Sequence, residues 1–93
     1  MRMVYPAMDE QGRLEYVVGE VEFYTFGLTI GYHKIMESTE NTKRPSKPKW
    51  IANEIHSGLL LGIGTTKKEA EEDAIAFIKE HEEVFEFFLG TSN

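Results

Sequence analysis

Apolar and polar residues partly alternate through Leu14-Glu15-Tyr16-Val17-Val18, and β-branched and aromatic residues crowd the run from position 21 to 35. The first stretch predicts a strand. The second predicts two short strands or one long bent strand, because Gly27 and Gly31 interrupt it. Ahead of both, Pro6 and the turn-like Asp9-Glu10-Gln11-Gly12 lead the chain in. Residues 37–49 carry two prolines and no apolar anchor, which predicts a long exposed loop. Residues 50–55 and 59–63 then predict a hairpin turned at His56-Ser57-Gly58. Within it Ile51, Asn53 and Ile55 share one face and Trp50, Ala52 and Glu54 the other. Leu59, Leu61 and Ile63 make the cleaner apolar face, the one expected to meet a helix.

After Thr66 the period changes from two to 3.6. Thr66-Lys67-Lys68-Glu69 has the form of a capping box, in which the threonine and the glutamate satisfy free amide donors reciprocally. Ala70, Ala74, Phe77, Ile78, Phe85 and Phe88 fall on one stripe, with Phe77 and Ile78 expected against Leu59, Leu61 and Ile63. Glu69, Glu72, Asp73, Glu80 and Glu83 lie elsewhere on the helix, and Gly90 supplies the stop. Unbroken from Lys67 to Leu89, the helix would be about 34 Å long, more than a sheet of short strands covers. Residues 84–89 are apolar on more than one face, so either the N-terminal segment or a second chain is expected to cover them. The fold predicted is α+β, an antiparallel sheet of three or four strands packed by one long C-terminal helix (βββα or ββββα). It forms a single domain over 1–93, with residues 37–49 as its exposed basic loop.

Composition narrows the chemistry. The chain has 93 residues, 41% of them hydrophobic, and no cysteine, so a disulfide framework, a thiolate metal site and a cysteine nucleophile are excluded. No apolar run approaches the roughly 18 residues of a membrane span, and the N-terminus lacks a signal-like apolar stretch; a soluble cytoplasmic protein is expected. His33, His56 and His81 fall in different elements and never at the spacing that pairs imidazoles on one metal, so no metal or cofactor is expected. His56 reads as a solvated turn residue, His33 as packing beside Tyr32, and His81 as partly buried near the helix stripe. There is no nucleophile elbow, Walker sequence or zinc-protease helix. Gly62-Ile63-Gly64 lacks the third glycine of a dinucleotide fingerprint, and the carboxylates of Glu71-Glu72-Asp73 read as a solvated face. An enzyme is therefore not expected.

Charge is the informative feature. Against 16 Asp+Glu the chain sets 10 Lys+Arg, a net charge of -6, and the two signs are segregated. Lys34, Lys43, Arg44, Lys47 and Lys49 gather before Trp50, whereas eight acids and one lysine occupy positions 69–86. A basic loop followed by a tryptophan could meet phosphates and stack a base. A carboxylate-rich helix could take the place of phosphates in a basic groove.

Residues 62–74, Gly-Ile-Gly-Thr-Thr-Lys-Lys-Glu-Ala-Glu-Glu-Asp-Ala, resemble the C-terminal strand–helix half of a double-stranded RNA-binding domain, and the resemblance extends over 58–78. That family ends its last strand in G-x-G and opens its last helix with S-K-K-x-A-K. Lys67 and Lys68 match its first two phosphate-binding lysines, Glu71 stands where the third would be, and the family's N-terminal helix has no counterpart. HicB-like antitoxins look similar over the same stretch. In size and charge the chain also resembles phage-encoded anti-CRISPR and anti-restriction inhibitors.

Three functions stay open. The first is a non-catalytic inhibitor that binds a basic nucleic-acid-handling protein or effector complex through Glu69, Glu72, Asp73, Glu80 and Glu83. The second is a nucleic-acid-binding module using Lys43, Arg44, Lys47, Lys49, Trp50, Lys67 and Lys68, which the net charge opposes. The third is an antitoxin-like homodimer joined through Phe85, Phe87, Phe88 and Leu89.

Overall fold

A computed structural model describes residues 1–24, 27–37 and 47–83. Five strands, β1 (Arg2–Met8), β2 (Leu14–Phe23), β3 (Thr29–Glu37), β4 (Lys47–Glu54) and β5 (Leu60–Gly64), precede one helix, α1 (Lys67–Glu80). The strands form a single antiparallel sheet in the order β1-β2-β3-β4-β5. The fold is α+β, with one strand more than the sequence predicts. The additional strand is β1, which the sequence presents as a lead-in because it contains Pro6. The N–H of Met8 points away from β2, to the carbonyl of Gly58 at 2.8 Å. By alternation Pro6 N faces the same side, away from β2, where its missing donor costs no β1–β2 ladder bond.

β4 starts at Lys47, so the last three positions of the expected 37–49 loop are strand, opposite Ile35, Met36 and Glu37 of β3. Pro48 fits because β5 reaches only as far as Gly64, opposite Trp50. Residues 38–46, with Lys43 and Arg44, lie outside the described residues. The 21–35 run resolves into the end of β2 and most of β3, and the turn between them is closed by Tyr24 N–H donating to Leu28 O at 2.7 Å.

α1 packs on the face formed by Ile30 and Tyr32 of β3, Ala52 of β4 and Leu61 of β5, and contributes Ala70, Ala74 and Ile78. Small residues on both sides bring the two backbones close. A Cβ on Gly62 would sit 2.5 Å from Ala74 N and 2.6 Å from Ala70 O, and one on Gly64 would sit 2.5 Å from Ala70 N. The Gly62-Ile63-Gly64 pattern thus serves helix–strand contact. Of the residues expected beneath the helix, Leu61 is buried, Ile63 is half-buried and Leu59 is 39% exposed. A register irregularity at Ala52/Asn53 breaks the simple alternation. Ile78 is fully buried, whereas Phe77 is only half-buried.

β4 is buried on both faces, because the β1–β2 ribbon returns across the face away from α1. Tyr5 lies against Gly31 of β3, where an added Cβ would meet its ring at 2.4 Å, and its hydroxyl abuts Gly19. A Cβ on Gly19 would also come within 2.3 Å of Tyr32 O, so β2 needs glycine at the point where it leaves β3. Asn53, with no exposed surface, donates from Nδ2 to the carbonyls of Met8 and Gly58, both at 3.1 Å. Its Oδ1 is buried without a partner.

Thr66 caps α1 as expected, its Oγ1 accepting from Glu69 N–H at 3.1 Å. The reciprocal bond is different: the Glu69 carboxylate accepts from the Thr65 hydroxyl at 2.6 Å. α1 ends at Glu80 instead of running unbroken to Leu89, with the N–H of His81 closing the last turn onto Phe77 O and Ile78 O. His81 is exposed, not partly buried, and stacks on Phe77 with ring centroids 4.4 Å apart. Residues 84–93 lie outside the described residues, and with them Phe85, Phe87, Phe88, Leu89 and the stop at Gly90.

Candidate functional site: the outward face of α1

The stripe that buries Ala70, Ala74 and Ile78 leaves the opposite side of α1 to solvent. Glu69, Glu72, Asp73, Ala76 and Glu80 occupy that side together with Lys68 and Lys79, and all are exposed. From Glu69 to Glu80 the stripe extends about 17 Å at 1.5 Å per residue. Glu83 is exposed too but lies past the His81 cap, outside α1. Two of the five predicted acids have local work. Asp73 Oδ2 accepts the backbone N–H of Ile63 at 2.9 Å, covering a donor on the outer edge of β5, and Glu69 holds the Thr65 hydroxyl. Glu72 and Glu80 carry no such bond to β5 or the cap.

Two lysines of the alternative site, Lys67 and Lys49, are engaged by the carboxylates of Glu22 and Glu10. Lys67 Nζ lies 2.7 Å from Glu22 Oε1 and 5.3 Å from the centre of the Tyr32 ring, so its charge is spent on β2 and β3. Burial, joined by the carboxylates of Glu71 and Glu22, pushes the Tyr32 hydroxyl well above the usual phenol range. Lys49 forms an ion pair with Glu10 of the β1–β2 turn. Trp50 is half-buried against the helix-side core and does not stand free for stacking. Of the described candidates for phosphate contact, Lys68 is exposed at the start of α1.

The histidines do not converge. His56 sits exposed in the β4–β5 turn, its N–H donating at 2.9 Å to the carboxylate of Glu54, which also accepts from Ser57. His33 is buried on the face away from α1, against Tyr5 of β1 and not beside Tyr32. Among the described residues no group of three or more His, Asp or Glu is placed to hold a metal ion. No helix among them is long and apolar enough to cross a membrane.

One surface went unread in the sequence. Arg2, Val4, Pro6 and Met8 pair with Glu20, Val18, Tyr16 and Leu14 across the ribbon, and of these Val4, Leu14, Tyr16 and Val18 are each more than half exposed. The signal was present in the alternation of 14–18, but without β1 as a partner it gave no face. Comparison with protein-family models, curated proteins and solved structures finds no match to this chain. The resemblance of residues 58–78 to a double-stranded RNA-binding domain therefore rests on those residues alone.

Proposed function

We propose that this chain is a small non-catalytic protein-binding domain, an inhibitor of a nucleic-acid-handling protein of the anti-CRISPR or anti-restriction type, acting in the cytoplasm through the acidic face of α1. The observation that carries this reading is the asymmetry of the charges. The carboxylates of Glu72 and Glu80 project from the outer side of α1, whereas Lys67 and Lys49 are neutralised by Glu22 and Glu10. A duplex-binding surface needs cations free to displace counterions from phosphate. A stripe of fixed carboxylates instead steers toward a basic groove and stands in for the phosphates that the groove accepts. The exposed apolar row on the β1–β2 ribbon also fits a protein partner better than a nucleic acid.

Affinity capture on the immobilised chain from native host lysate, with and without nuclease, tests the reading. A basic protein retained after nuclease treatment, and lost when Glu72 and Glu80 are changed to Lys, is the expected result. Capture that vanishes with nuclease, or duplex RNA bound with micromolar affinity near 0.15 M salt through Lys67 and Lys68, overturns it in favour of the RNA-binding reading.

A further inference from the structure

The β1–β2 ribbon closes the face of the sheet away from α1, with Tyr5 over Gly31, Asn53 bonded to Met8 O, and Met8 N–H bonded to Gly58 O. His33 lies among them with 8% of its surface exposed. Its Nδ1 is 3.4 Å from the Tyr5 hydroxyl, and the two rings meet edge to face with centroids 6.2 Å apart. We propose that His33 is a proton-operated latch: with the imidazole neutral the ribbon is held across the sheet, and protonation releases it.

Protonation of His33 places an uncompensated charge beneath the ribbon. Protonation makes Nδ1 a donor to the Tyr5 oxygen, but among the described residues the positive charge gains no counterion. From β1 the facing titratable group is Tyr5, whose hydroxyl burial holds above the usual phenol range, so it stays neutral. From β4 the residue opposite is Ile51, and two positions back on the same face stands Lys49, itself cationic and paired with Glu10 of the β1–β2 turn. β2 presents Val17 and Gly19, with Glu15 exposed farther along, opposite Ala7. On β3 itself Lys34 is exposed on the other face. Among the described residues no carboxylate bonds to the ring, so a charged imidazole is better served by water, which it reaches when the ribbon lifts. Burial accordingly holds the His33 pKa below the ordinary histidine value of 6.5.

The released state binds the proton more readily than the docked state, so docking is fully supported above pH 6.5 and weakens as pH falls from 6.5 through the lowered pKa.

Amide hydrogen exchange, normalised to intrinsic rates at each pH, reads the latch directly, because the Met8 N–H is bonded across to Gly58 while the Ile78 N–H reports on α1. Between pH 7 and pH 4.5 the protection of Met8 is expected to fall by about tenfold or more relative to Ile78. The differential is expected to disappear in His33→Gln, which cannot charge. Equal loss at both amides, no loss at either, or a differential that persists in His33→Gln overturns the proposal. Proton NMR titration of the wild-type imidazoles keeps it testable should the variant not fold. His33 must titrate below the ordinary histidine value of 6.5 and in step with the Met8 change; titration at or above that value overturns the latch.

Discussion

The carboxylate of Asp73 accepts the backbone N–H of Ile63 at 2.9 Å, fastening the exposed side of α1 to the outer edge of β5. β5 ends the sheet, and an unpaired donor on an end strand is an invitation to another chain's backbone. Asp73 therefore differs in kind from Glu72 beside it. Replacing Asp73 with Ala is expected to lower the free energy of unfolding by about 1 kcal/mol. Glu72→Ala should stay within about 0.5 kcal/mol. Urea midpoints of the two variants check this, and equal midpoints would remove the structural role given to Asp73.

Gly62 is held to its size by backbone, which cannot move aside as a flexible side chain can. Gly62→Ala is expected to destabilise by about 1–3 kcal/mol, since the new methyl meets Ala74 N at 2.5 Å and Ala70 O at 2.6 Å. In a domain of this length each kcal/mol moves the thermal midpoint by roughly 4–8 °C. Melting followed by circular dichroism measures the shift, and an unchanged midpoint would mean that α1 stands farther from β5 than described.

Ile78 and Phe77 were expected to anchor α1 together, yet only Ile78 is fully buried. Ile78→Ala removes packed methylenes from among Leu28, Ile30 and Leu61 and is expected to cost about 2–5 kcal/mol. Phe77, half-buried and stacked on His81, should lose less on truncation than a fully enclosed phenylalanine, below about 3 kcal/mol. Chemical denaturation of the two alanine variants tests the ranking; a costlier Phe77→Ala reverses the assignment of the anchor.

The parts legible in the sequence were those encoded locally. Thr66 and Glu69 fixed the start of α1, the 3.6-residue period chose its buried stripe, and the alternation around Trp50 and Leu61 placed the hairpin beneath it. What escaped depends on partners distant along the chain. β1 is hidden by Pro6, whose place on the side away from β2 shows only once Met8 is seen bonded to Gly58. Asn53 reads as one polar residue in an alternating strand, and nothing nearby says that a ribbon from 45 positions upstream will bury it. The ion pairs of Lys67 with Glu22 and Lys49 with Glu10 span 45 and 39 positions, so charges that look free in sequence are engaged in space. The acidic stripe was legible as a stripe, but the separate duty of Asp73 was not, because it answers to the edge of β5.

That duty decides how the acidic face should be tested. A charge reversal that includes Asp73 would weaken binding and fold together, whereas Glu72→Lys with Glu80→Lys changes the field by four units of charge at two exposed positions. The double variant is expected to keep its thermal midpoint within about 3 °C. It should also slow association with a basic partner by about tenfold or more at low salt. Raising ionic strength should slow the wild type in the same manner and leave the variant little changed, since screening acts on the field the substitutions remove. Stopped-flow or surface-capture association rates across a salt series, measured on the partner recovered from lysate, give both comparisons. If the variant and the wild type associate at the same rate and share one salt dependence, the acidic side of α1 is not the contact surface, and the exposed row of Val4, Leu14, Tyr16 and Val18 becomes the surface to mutate next.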